Sequence, residues 1–131
     1  DNEDFVPVAK EDLDEVMHRL MDIISEVKNP HLKNLLNLFF NDKDFYSAFR
    51  RSPAAIYIHH AYIGGLAVHT LHVATICNSI IKIYPTLDGD LIVTGALLHD
   101  IGKVVEFDTL HASDRLSHYP KLPFLALYAS R

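Results

Sequence analysis

The chain has 131 residues and a mass of 14.8 kDa, the size of a single domain. Apolar residues make up 49% of it, about 64 side chains, against 22% charged and five glycines, which excludes a disordered or collagen-like polymer. The net charge of -5 is local: residues 1–26 carry nine acids against Lys10 and Arg19, a balance of -7, residues 27–131 balance at +2, and no basic stripe with interleaved aromatics announces a nucleic-acid groove.

Cys77 is the only cysteine, so an internal disulfide and a cysteine-rich zinc site are excluded. A reducing, cytoplasmic setting is expected, and the opening Asp1-Asn2-Glu3-Asp4 does not read as a secretory leader. The longest apolar run near the middle, Leu91 to Leu98, is broken by Thr94 and Gly95 and falls short of the roughly 20 residues that span a bilayer, so no membrane association is expected.

Leu13, Val16, Met17, Leu20, Met21, Ile24 and Val27 recur at helical spacing and predict a first amphipathic helix, which should stop at Asn29-Pro30. There Asn29 can cap and Pro30 can open a second helix bearing Leu32, Leu35, Leu36, Phe39 and Phe40. Asn41-Asp42 reads as a break and a new cap, followed by a short helix holding Phe45, Ala48 and Phe49. Ser52-Pro53 reopens the helical pattern, and Gly64-Gly65 predicts a corner. From Leu66 to about Tyr84 a long helix is apolar on a broad face and is expected to be central, with Cys77 buried and inert between Ile76 and Ile80. Asp88 can cap the next helix, in which Ile92, Gly95, Ala96 and His99 share a face and Gly102 stands where a C-terminal glycine belongs. The fold class is all-α, with Ile56-Tyr57-Ile58 too short an alternation to indicate a sheet.

Five of the nine histidines, His59, His60, His69, His72 and His99, fall within 41 positions. His99-Asp100 pairs an imidazole with a carboxylate, both good ligands for a borderline divalent cation. Neighbouring helix residues point about 100° apart, so the pair reaches one ion only if another helix completes the shell, and His69 on the long helix is the natural third ligand. In His99-Asp100-Ile101-Gly102-Lys103, a turn at the glycine can bring the Lys103 ammonium toward a bound phosphate; a basic residue placed after a helix C-terminus is the equally weighted alternative. His72 is expected to face a neighbouring helix. Gly95 and Gly102 are too far apart for a phosphate-binding P-loop, and Val104 stands where Ser or Thr would be needed.

The pattern of His69 followed by His99-Asp100-Ile101-Gly102-Lys103 resembles the HD-domain metal-dependent phosphohydrolases. Phe5-Val6-Pro7, Pro53-Ala54-Ala55, His59-His60-Ala61-Tyr62-Ile63-Gly64-Gly65-Leu66 with His69-Thr70, and Gly95 to Lys103 with Glu106 narrow the resemblance to 3'-5' exoribonucleases of the YhaM type. It covers about Phe5 to Phe107. The resemblance implies an HD-like helical bundle over residues 1–107 and metal ligands at His69, His99 and Asp100. It implies catalytic roles for Asp100 and Lys103, with substrate contacts from Lys103, His59, His60 and Tyr62. The implied cofactor is a divalent cation, manganese before iron, magnesium, cobalt or nickel. The implied substrate is RNA at its 3' end or another nucleotide, and a homo-oligomer is a further expectation. Residues 108–131 depart from the family pattern, as a truncated or altered C-terminus would, and the OB-fold module that precedes the HD domain in that group has no room in this chain. An inactive helical module with a structural or partner-binding role is the alternative reading.

Overall fold

The computed structural model describes residues 7–55 and 62–105. Five helices follow in order: α1 (Leu13–Glu26), α2 (Pro30–Phe40), α3 (Lys43–Arg51), α4 (Gly65–Ile83) and α5 (Gly89–Leu98), and a helical turn continues over residues 102–105. Among the described residues no strand forms; the segment before α1 makes one parallel bridge between Val8 and Ile63. The all-α expectation is met.

Four of the helices begin on a short oxygen-bearing side chain that accepts otherwise unpaired N–H groups of the first turn. Asp12 accepts from Asp14 and Glu15, Asn29 from His31 and Leu32, Asp42 from Phe45, and Asp88 from Leu91. Helix α4 starts differently, at Gly64 in the left-handed region with φ 87°. A Cβ there would come within 2.4 Å of the Leu13 side chain, so this corner needs glycine for both its dihedral and its closeness to α1.

The core gathers the apolar stripe of α1 with Leu36, Phe39, Phe40, Phe45 and Phe49 of α2 and α3, the first half of α4, and Val93, Ala96 and Leu97 of α5. Phe40 meets Phe45 and Phe49 edge-on at ring-centroid separations of 5.5 and 5.1 Å, a favoured aromatic geometry. Helix α4 packs most extensively on α5, then on α1 and α3.

Three expectations need correction. Ser52 does not cap a new helix at Pro53: its hydroxyl donates to the Ala48 carbonyl at 2.6 Å and its own carbonyl accepts the Leu66 N–H at 3.0 Å, so it closes α3 and ties it to the start of α4. Residues 52–55 are not helical, and Ile56-Tyr57-Ile58 lies outside the described residues. Helix α5 ends at Leu98, and Gly102 lies within the following helical turn, not past a helix end. Helix α4 is central only in its first half, because Ile76 is 60% exposed, Ile80 and Ile83 are exposed as well, and Cys77 is half-buried, not enclosed.

That helix is also long and apolar enough, by length and composition, to cross a membrane, with a third of the qualifying stretch buried in the fold. Its apolar run is not continuous in the sequence, because His69, Thr70, His72, Thr75, Asn78 and Ser79 interrupt it.

Candidate metal centre

The first half of α4 and the end of α5 bring His69, His99 and Asp100 together. His69 Nε2 lies 3.3 Å and His99 Nε2 3.1 Å from Asp100 Oδ2, and the two imidazole rings are 5.4 Å apart. One donor atom from each residue falls within 4.8 Å of the others. Neighbouring donors around an octahedral cation with bonds of about 2.1 Å stand about 3.0 Å apart, so the carboxylate–imidazole spacings suit such an ion. Asp100 is 20% exposed, and both imidazoles are more open than that, which leaves one side of the cluster accessible.

The chemistry of the donor set points the same way. His99 Nδ1 lies 2.6 Å from the Ala96 carbonyl oxygen. A carbonyl only accepts, so Nδ1 carries the proton and Nε2 of the neutral ring presents a lone pair. That lone pair faces the Asp100 carboxylate, another acceptor, at 3.1 Å. Two acceptors at this distance repel unless a proton or a cation sits between them. An imidazole oriented by a backbone carbonyl behind it is the usual support for a metal ligand. The Ala96 carbonyl belongs to the last turn of α5, where the negative end of the helix dipole also favours a cation.

After Leu98 the backbone winds tightly. Ile101 donates to Leu98, Lys103 to Asp100 and Val104 to Ile101, each three residues back. Side chains three apart stack in such a turn. The Lys103 ammonium therefore falls 3.6 Å from Asp100 Oδ2, and it donates a 2.6 Å hydrogen bond to the Ala54 carbonyl.

Of the other expected site residues, Tyr62 lies away from this cluster. Tyr62 lines a cleft with Pro7, Val8, Ala9, Lys10 and Glu11, which none of His69, His99 and Asp100 borders. Burial first, then the Glu11 carboxylate, raises its phenol above the usual 10.0. His59 and His60 lie outside the described residues. His72, expected against a neighbouring helix, is exposed. Sequence reasoning missed two backbone groups, the Ala96 and Ala54 carbonyls. The first has a signal, a histidine three residues after a last-turn carbonyl; the second has none.

An all-α bundle in which a His–Asp dipeptide after one helix meets a histidine of the preceding helix is the arrangement of the HD domain. Residues 66–123, from the first turn of α4 past the His–Asp turn, match the HD domain family. Over 103 residues the chain is 39% identical to the 3'-5' exoribonuclease YhaM of Shouchella clausii (strain KSM-K16) and 37% identical to that of Halalkalibacterium halodurans. Each match covers 79% of this chain and 32% of the relative, so the chain spans about a third of the length of these curated relatives. The chain is thus similar to the HD domain family and, over those 103 residues, to YhaM. No solved structure gives a significant match.

Proposed function

We propose that the chain is a divalent-metal phosphohydrolase module that acts on RNA from its 3' end. The observation that carries this reading is the convergence of His99 Nε2 and His69 Nε2 on one oxygen of Asp100, at 3.1 and 3.3 Å. The RNA substrate is suggested by the similarity to the YhaM 3'-5' exoribonucleases, and manganese is the first cation to test.

His69, His99 and Asp100 would hold the cation. When bound, it supplies Lewis acidity toward a phosphoryl oxygen and makes water a better nucleophile near neutral pH. The Ala96 carbonyl keeps the His99 proton on Nδ1, so the ring faces the site as a donor of electrons and not of a proton. Asp100, within reach of both imidazoles, contributes the negative charge and an acceptor that can orient a water proton. The open side of the cluster gives a phosphodiester access.

Asp100→Ala is expected to abolish manganese binding and manganese-dependent release of nucleotides from RNA in a protein that stays folded. Equal turnover in that variant would refute the assignment. A panel of RNA, nucleoside monophosphates and cyclic nucleotides separates an exoribonuclease from an enzyme of small nucleotides, and a folded native chain that takes up no divalent cation would leave only a helical interaction module.

A further inference from the structure

We propose that Lys103 is a positioning residue of this centre: anchored on the Ala54 carbonyl, its ammonium holds the Asp100 carboxylate between the two imidazoles. The proposal rests on the metal reading above, and it gives Lys103 a task other than gripping a phosphate.

The shortest contact of the ammonium decides the matter. At 2.6 Å it donates to Ala54, 49 residues earlier in the chain, while Asp100 Oδ2 stands 3.6 Å away on the same nitrogen. The ammonium's shortest hydrogen bond goes to backbone and its nearest charged neighbour is the Asp100 carboxylate, while its side chain is 32% exposed. The anchor is firm. Ala54 is buried and follows Ser52, whose N–H, hydroxyl and carbonyl are all engaged with α3 and α4. The carboxylate is thus approached by imidazoles from α4 and the end of α5 and by an ammonium moored to the segment after α3. Tight winding after Leu98 is what stacks Lys103 over Asp100.

Two physical effects of removing the ammonium have opposite signs, and this makes the role testable. On charge alone, deleting a positive group beside a divalent cation should tighten cation binding. Losing an outer partner that orients a ligand weakens metal affinity, typically 10- to 100-fold. We expect the second effect to win. In calorimetric titration of the full chain with manganese alone, Lys103→Met should weaken binding about 10-fold. Lys103→Arg, which keeps a cation able to donate to a carbonyl, should recover most of the loss. In RNA turnover the Lys103→Met deficit should shrink as manganese is raised, with KM for RNA unchanged.

A Lys103→Met chain that binds manganese as tightly as the native protein, or more tightly, overturns the proposal, and a raised KM at saturating manganese would return Lys103 to the substrate. Equal losses in the Met and Arg variants overturn it as well. Should Lys103→Met fail to fold, Lys103→Gln removes the charge and keeps a donor: positioning predicts binding between the native chain and a 10-fold loss, and binding tighter than native sinks it. A native chain that takes up no manganese removes the metal reading and this role together, whereas native binding left intact in the variants removes only the role.

Discussion

Gly64 offers the sharpest test of how the fold serves the site. Its φ of 87° costs a residue bearing a Cβ about 1–2 kcal/mol. A Cβ placed there would stand 2.4 Å from Leu13 Cδ2 and 2.7 Å from Cδ1, and Leu13 is a buried core residue, so accommodating it adds an overpacking penalty of about 1–3 kcal/mol. Gly64→Ala should therefore destabilise the protein by about 2–5 kcal/mol, which lowers Tm by roughly 6–20 °C for a chain of this size. Thermal unfolding followed by circular dichroism gives the value, and a double variant separates the two causes. With Leu13→Ala also present the clash disappears and only the dihedral cost is left, so the pair should fall short of additivity by about 1–3 kcal/mol. Gly64 caps the helix that carries His69 one turn and a half later, so manganese affinity should fall with stability. A Gly64→Ala protein within about 0.5 kcal/mol of native, or strict additivity of the pair, would refute the reasoning.

Asp90, in the first turn of α5, accepts the N–H groups of Lys28 and Asn29 at 3.0 and 2.7 Å and so ties the α1–α2 turn to α5. Asp90→Ala should cost about 1–2 kcal/mol in urea unfolding, with Asp90→Asn recovering part of it, and a neutral alanine variant would show that the link contributes nothing. Tyr62, whose phenol burial and Glu11 hold above the usual 10.0, should contribute to the pH dependence of stability. A folded-state pKa above the unfolded one gives a contribution that is complete below about pH 10 and is lost as pH rises through the folded value. Tyr62→Phe should flatten the alkaline fall in stability and Glu11→Gln should do so in part; identical slopes in the native and Phe proteins above about pH 10 would remove this account.

Helix starts were the most legible feature of the sequence, because a short side-chain oxygen beside an apolar period states its own use, as at Asn29, Asp42 and Asp88. Ser52 has the same chemistry but a different use. A serine hydroxyl can reach forward to cap or back to an earlier carbonyl, and the choice of Ala48 is made by the tertiary tie to Leu66, which no local pattern encodes. The exposed second half of α4 was hidden for a related reason: periodicity identifies an apolar face but not whether a neighbouring helix is long enough to cover it. The three clustered residues could be picked from the order His69, His99, Asp100, since residue type carries their chemistry. Their carbonyl supports could not, because a backbone carbonyl looks the same at every position; only the fold places Ala54 beside Lys103.

The place where α5 stops explains why the His–Asp dipeptide works as it does. Had the helix run on to Gly102, the Ala96 carbonyl would be spent on a backbone N–H four residues later. Because it ends at Leu98, Ala96 lies among the last-turn carbonyls that lack such partners, and the next imidazole claims it. The same tightening sets a period of three beyond the helix, so His99 reaches back three residues to Ala96 and Lys103 reaches back three to Asp100. One change of winding thus fixes the tautomer of one candidate ligand and stacks an ammonium over the other. The sequence need then contribute only the side chains at 99, 100 and 103, and a second helix need contribute only His69.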